Sequence, residues 1–318
     1  MKNKVLVTGA TGFVGGRIAQ SLALREEIEV VLGSRAVQES PWWLPSAPTV
    51  VMNWTSQRSL KSACNGIDTL VHLSGMNDAD CSLDPVGALE INAVNTARLM
   101  KAAKVAGVKR VIYFSTAQVY GSNLVGRIDE STLPKNYHPY ATSHRAAEDV
   151  VLAAANSNMD SVVIRLSNGF GVPAHPNVNA WMLLTNDLCR QAVVSKIMTL
   201  RSSGLQQRDF ITLNDVTRVV KHILELPRVK LGDGLFNVGS GKSMQVRDMA
   251  QLIQVRCTHV LGFTPIIIRP ESISDEKDEA LYYCIDKLLN TGLTLNGNAN
   301  YEIDAILQMC HKNFTVAD

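Results

Sequence analysis

The stretch Val5-Leu6-Val7-Thr8-Gly9-Ala10-Thr11-Gly12-Phe13-Val14-Gly15-Gly16 decides the fold. Its apolar opening, Val5-Leu6-Val7, reads as a buried parallel strand. Val14, Ile18 and Leu22 then repeat at helical spacing, so strand, glycine-rich turn and helix follow one another without a gap. Such a unit is suited to an anion. Gly9 permits the tight turn, Gly12 lets the backbone approach a pyrophosphate, and Gly15 lets the helix pack on the strand. The first N–H groups of the helix have no partner within it and face the phosphates. With Thr11, Phe13 and Val14 in the same turn, the stretch predicts a dinucleotide site.

Outward from this point, strand-like and helical runs alternate through the first half, which predicts an α/β fold with a doubly wound parallel sheet. The second strand, Ile28 to Leu32, ends in Gly33-Ser34-Arg35. No carboxylate stands there to hold the adenosine ribose hydroxyls, whereas an arginine accommodates a 2′-phosphate. Ser34 and Arg35 therefore favour NADP, with NAD as the alternative. A chain of 318 residues with 46% apolar content, mean hydropathy near zero and net charge +2 predicts a globular protein. It gives no reason to expect nucleic acid or membrane partners. The start of the chain lacks a signal-peptide core, and the six cysteines are scattered without a CxxC pair. Reduced thiols, a cytoplasmic location and no metal site are the expectations.

The glycine spacing, GxxGxxG, resembles that of the extended short-chain dehydrogenase/reductases, the branch that modifies nucleotide sugars. Other segments resemble the same family in the same order. Asn53-Trp54, after the strand Thr49 to Met52, stand where the family lines the adenine. Leu73-Ser74-Gly75 ends a buried strand as the family's backbone under the cofactor does, and Asn92 matches the asparagine that supports the active-site backbone. His72, within that strand, reads as a satisfied core histidine. The fifth strand delivers Ser115-Thr116, and Thr116 stands at the family's Ser/Thr position.

Tyr140 and His144 occupy the family's YxxxK motif, one helical turn apart. The resemblance implies that Tyr140 is the general acid/base. Histidine in place of the ribose-binding lysine is the largest departure from the pattern. Arg165-Leu166-Ser167-Asn168-Gly169-Phe170-Gly171 resembles R-x-x-N-x-Y/F-G, implying that Ser167 touches the nicotinamide carboxamide and Asn168 the sugar nucleotide. Arg208-Asp209-Phe210-Ile211 resembles a further family segment whose arginine, here Arg208, clamps the diphosphate.

The resemblance implies a dinucleotide-binding domain over 1–166, with 209–240 returning to it, and a smaller discontinuous substrate domain over 167–318. After Pro173 and to about Gly204 the alternation lapses, and His175, Pro176, Asn177 and Asn179 predict loop. The implied activity is NAD(P)-dependent hydride transfer on a nucleoside-diphosphate sugar. Ala117-Gln118 replace the Asp-Glu pair of family 4,6-dehydratases, which leaves a 4-keto-sugar reductase, favoured by the NADP reading, or a 4-epimerase with bound NAD. A non-catalytic NADP-binding sensor or scaffold is the third reading. Relatives commonly form homodimers, so a homodimer is expected.

Overall fold

The structure, a computed structural model, describes residues 2–37, 39–271 and 279–315. Seven strands build the main sheet: β1 (Asn3–Thr8), β2 (Ile28–Ser34), β3 (Thr49–Val51), β4 (Thr69–His72), β5 (Arg110–Thr116), β6 (Asp160–Leu166) and β7 (Leu235–Val238). All pair in parallel, in the order β7-β6-β5-β4-β1-β2-β3. The order reverses beside β1. In open parallel sheets, ligands lie at that switch point, beyond the carboxyl ends of the strands.

Successive residues of a strand point to opposite faces, and β1 shows why both faces must be covered. Val5 and Val7 enter one core with Ile18 and Leu22 of the helix Phe13–Ala23 and with Val216, Val220 and Ile223 of the helix Leu213–Glu225. Leu6 enters the other core with Leu60, Leu99, Met100, Ala147 and Val151 from the helices Gln57–Ala63, Asn95–Ala106 and Pro139–Ala153. Each fully buried aliphatic side chain contributes roughly 1.5–3 kcal/mol of transfer free energy.

A third core lies in the C-terminal half. It joins Leu188, Met249, Ile253, Ile306 and Leu307 of the helices Leu184–Ser195, Val246–Leu261 and Ala299–Phe314 to Phe170 and Phe210. Those two phenylalanines belong to a small sheet of Asn168–Phe170, Gln207–Thr212 and Ser243–Gln245. The smaller part is discontinuous, because Leu213–Glu225 and β7 pack with the main sheet between its segments. The helix Leu184–Ser195 corrects the loop expected up to Gly204. Its apolar positions Leu188, Cys189, Ala192 and Val193 do keep helical spacing, but the preceding run of Pro, Asn and His obscures it.

Candidate active site

The glycine turn leaves β1 with Gly9 at φ +68°, a conformation that favours glycine. A Cβ at Gly9 would lie 2.8 Å from the Leu73 carbonyl carbon, and one at Gly15 would lie 2.3 Å from the Gly9 oxygen. The close approach of turn, helix and β4 therefore excludes side chains at both positions. The Gly12 N–H donates to the Gly9 oxygen at 3.0 Å. The helix Phe13–Ala23 begins without a side-chain cap, and Gly12, which precedes it, lines a cleft of about 820 Å³. Gly9, Thr11 and Gly12 line this cleft together with Ser34, Arg35 and Trp54 and with the segment Leu73, Ser74 and Gly75, which packs directly against Gly9. The bare backbone cradle, uncapped helix end and elongated cleft fit a dinucleotide.

The Leu73–Gly75 wall beside the glycines is held from behind. Thr8 Oγ1 accepts from the Leu73 and Ser74 N–H groups at 3.2 Å and lies 2.7 Å from His72 Nδ1. The other His72 nitrogen lies 3.0 Å from Thr96 Oγ1. Burial pushes the imidazole pKa down to about 3, which keeps it neutral. His72 is thus a satisfied core histidine. Asn92 sits in a π-helical turn, Leu89–Val94, beneath the same wall. It accepts from the Met76 N–H at 2.7 Å and donates to Ser143 Oγ at 3.0 Å.

A second cavity, of about 250 Å³, adjoins the first and is lined by Phe13, Val14, Gly15, Ser115, Tyr140, His144 and Leu166, among others. Tyr140 comes from the first turn of Pro139–Ala153, where Pro139 presets the entry and His138 Nδ1 accepts the Tyr140 N–H at 3.2 Å. Burial raises the phenol pKa to about 12, against a smaller lowering by its hydrogen bond with Thr116. Thr116 ends β5, and its hydroxyl also accepts from the Gln118 N–H at 3.1 Å. His144 packs edge-on against Tyr140 with ring centroids 4.5 Å apart, and its Nδ1 lies 2.7 Å from the Tyr113 hydroxyl. Burial lowers its pKa to about 4. Burial thus favours a neutral ring at pH 7, and His144 has no carboxylate partner among the described residues.

Past Leu166, a third cavity of about 120 Å³ is lined by Thr116, Gln118, Ser167, Asn168 and Arg208, among others. Ser167 Oγ donates to Asp209 at 2.6 Å, and Asn168 donates to the Asp209 carbonyl at 2.9 Å. Arg208 donates to Gln206 Oε1 at 3.0 and 3.3 Å, and no carboxylate pairs with it among the described residues. Burial lowers its pKa, which marks a cation short of compensating charge. Nineteen residues expected at the site thus line one of three adjoining cavities. Asn92 stands behind the wall. Asn53 faces solvent, where its side chain accepts from the Thr55 N–H at 3.0 Å. Sequence reasoning missed Met76, Asn77, Asp80, Ile91, Asn95 and Asn179 along the first cleft, and Gln206 and Leu281 in the third. Asn77 caps the short helix that carries Asp80, and Ile91 and Asn95 lie one turn apart on a later helical run, but no motif marks either pair. Asn179, Gln206 and Leu281 come from distant segments.

A profile of the NAD dependent epimerase/dehydratase family matches residues 5–239. The chain belongs to this family. An uncharacterised UDP-glucose epimerase of Bacillus subtilis is 24% identical over 266 residues, covering 79% of this chain and 81% of that one. A dTDP-D-glucose 4,6-dehydratase of Mus musculus is 32% identical over 203 residues, covering 59% of this chain. The match spans about half, 52%, of that relative's length. Among solved structures, UDP-glucuronic acid 4-epimerase from Bacillus cereus in complex with UDP-glucuronic acid and NAD shares the fold. The TM-score is 0.77 at 20% identity, over 97% of this chain and 99% of that one. Further neighbours of the same fold hold NAD, and one holds NADPH. No described helix is long and apolar enough to cross a membrane.

Proposed function

We propose that the protein transfers hydride between NAD(P) and a ring carbon of a nucleoside-diphosphate sugar. The observation that carries this is the continuous run of cavities from the glycine turn, past Thr116 and Tyr140, to Asn168 and Arg208. A bound nicotinamide supplies the hydride chemistry. The chain positions the rest. Gly9, Gly12 and Gly15 admit the pyrophosphate, and the Leu73–Gly75 wall, with Thr8 and Asn92 fixing it, keeps the cleft narrow. Arg208 meets the sugar's diphosphate with the fork it does not spend on a carboxylate. Thr116 and Tyr140 meet the reacting oxygen, and Tyr140 exchanges its proton.

Epimerisation at C4 on a retained NAD is the form the comparisons favour, since epimerases recur among the relatives and NAD among the solved neighbours. This reverses the order of the sequence reading, which places reduction and NADP first. Dehydration is disfavoured, because Ala117 is buried and Gln118, which lines the third cavity, cannot do acid/base work. A second reading, reduction of a 4-keto sugar with NADPH, keeps two specific supports. Arg35 lines the adenosine end of the cleft, and a Tyr140 held protonated is a better acid than base. Native mass spectrometry of the purified protein, with an assay of UDP-glucose/UDP-galactose interconversion and of NADPH consumption by a 4-keto sugar nucleotide, decides between them. Retained NAD with interconversion supports the epimerase. NADPH turnover supports the reductase. Failure to bind either dinucleotide removes both.

A further inference from the structure

His144 stands where the family places a cation, yet it is buried and neutral. A neutral imidazole has one N–H, and its hydrogen bonds decide which nitrogen carries it. Nδ1 lies 2.7 Å from the hydroxyl of Tyr113 on β5. That hydroxyl is buried and makes no other hydrogen bond among the described residues. If Nδ1 carried the proton, it would donate to Tyr113 and leave the phenolic O–H in the core without an acceptor. That arrangement costs roughly 1–3 kcal/mol. The opposite arrangement satisfies both groups: Tyr113 donates, Nδ1 accepts, and the proton of the ring rests on Nε2. Nε2 has no protein partner among the described residues, and the ring lines the cavity shared by Tyr140, Gly75 and Ser115.

We propose that Tyr113 is a positioning residue. Its hydroxyl fixes His144 as the neutral Nε2–H tautomer, and this N–H takes over from the missing ammonium as hydrogen-bond donor to the nicotinamide ribose. Tyr113 touches neither cofactor nor substrate; it acts through His144. The assignment rests on the cofactor reading above, but its first test does not.

Histidine-selective 15N labelling of the ligand-free protein, with His144→Gln to identify the signals, reports the tautomer directly. At pH 7 the expected pattern is an unprotonated Nδ1 and a protonated Nε2. Tyr113→Phe should replace it with a mixture of tautomers or with imidazolium. The same variant should weaken NAD(P) binding by about 2- to 10-fold, the range of a single hydrogen bond. In a His144→Lys background, Tyr113→Phe should leave cofactor affinity unchanged within about twofold, because an ammonium has no tautomer to fix. An Nδ1–H tautomer or imidazolium in the wild type overturns the proposal, as does a tautomer that survives Tyr113→Phe. Loss of the tautomer without loss of affinity overturns the donor role. If the tautomer is as described but neither dinucleotide binds, the Tyr113–His144 pairing stands and the hydride-transfer reading fails.

Discussion

Glu302, on the last helix, receives Arg17 of the first helix at 3.0 Å and is itself completely buried. The same carboxylate accepts the Asn214 N–H at 3.0 Å and the Val172 N–H at 3.1 Å. One side chain thus ties the glycine helix to three later segments. Removing it leaves two part-buried N–H groups without their acceptor and a mostly buried guanidinium held only by the Val172 carbonyl. Glu302→Ala should destabilise the protein by roughly 3 kcal/mol. Glu302→Gln, which keeps an acceptor, should cost about half that. Urea titration of both variants checks the order, and equal costs would mean that the lost negative charge, which both variants share, dominates over the lost acceptor.

Arg208 should serve the substrate and not the dinucleotide, because it lies in the third cavity, away from the glycine turn. Arg208→Ala should raise the sugar-nucleotide KM at least tenfold, with NAD(P) affinity within about twofold of wild type. Arg208→Lys should recover only part, since an ammonium cannot hold two phosphate oxygens in one plane. Calorimetry with each ligand separately reads the difference, and a fall in dinucleotide affinity would move the arginine to the other site.

Arg35 sets the cofactor preference if the adenosine end of the cleft is read by charge. Arg35→Asp should weaken NADPH binding at least tenfold and strengthen NADH binding. The guanidinium that could pair a 2′-phosphate is then replaced by an acceptor for ribose hydroxyls. Fluorescence titration with both reduced cofactors measures the ratio before and after.

Two buried histidines make stability depend on pH. His72 and His144 have folded pKa values near 3 and 4, against 6.5 when exposed. Between pH 6.5 and about 4 the unfolded chain therefore binds more protons than the folded one. Stability falls as the pH is lowered through that window, and rises with pH across it. The loss should be on the order of 3 kcal/mol per histidine, and it precedes most carboxylate protonation. Thermal melts from pH 7 to pH 4 should show a falling Tm, with a shallower slope in His72→Gln. A flat profile would show that neither ring is neutral because of burial.

The sequence carries the main sheet and most of the candidate site because both rest on local rules. Val5-Leu6-Val7 must be buried on two faces, Gly9 takes a positive φ in the turn, and Gly15 admits no side chain because the Gly9 oxygen lies against it within the same turn. Tyr140, Thr116, Asn168 and Arg208 were found through motifs that keep fixed distances along the chain. The state of His144 was not legible, because it depends on Tyr113, 31 positions away on another element. Asn179 enters the first cleft from the second half of the chain, and only the tertiary fold places it there. Asn53 shows the converse. It occupies the expected position, but its side chain serves a local turn instead.

The order of the main sheet also has a consequence for biosynthesis. β6 ends at Leu166, but its outer edge is covered by β7, residues 235–238, about seventy residues later. Until that segment leaves the ribosome, the nascent chain carries a nearly complete sheet whose β6 edge, Val163 to Leu166, is bare. At a typical elongation rate of roughly 5–20 residues per second, the edge waits for several seconds. During that interval the growing chain is open to pairing with a neighbour of its own kind. Pausing or truncation after β6 should therefore favour aggregation over simple loss of function.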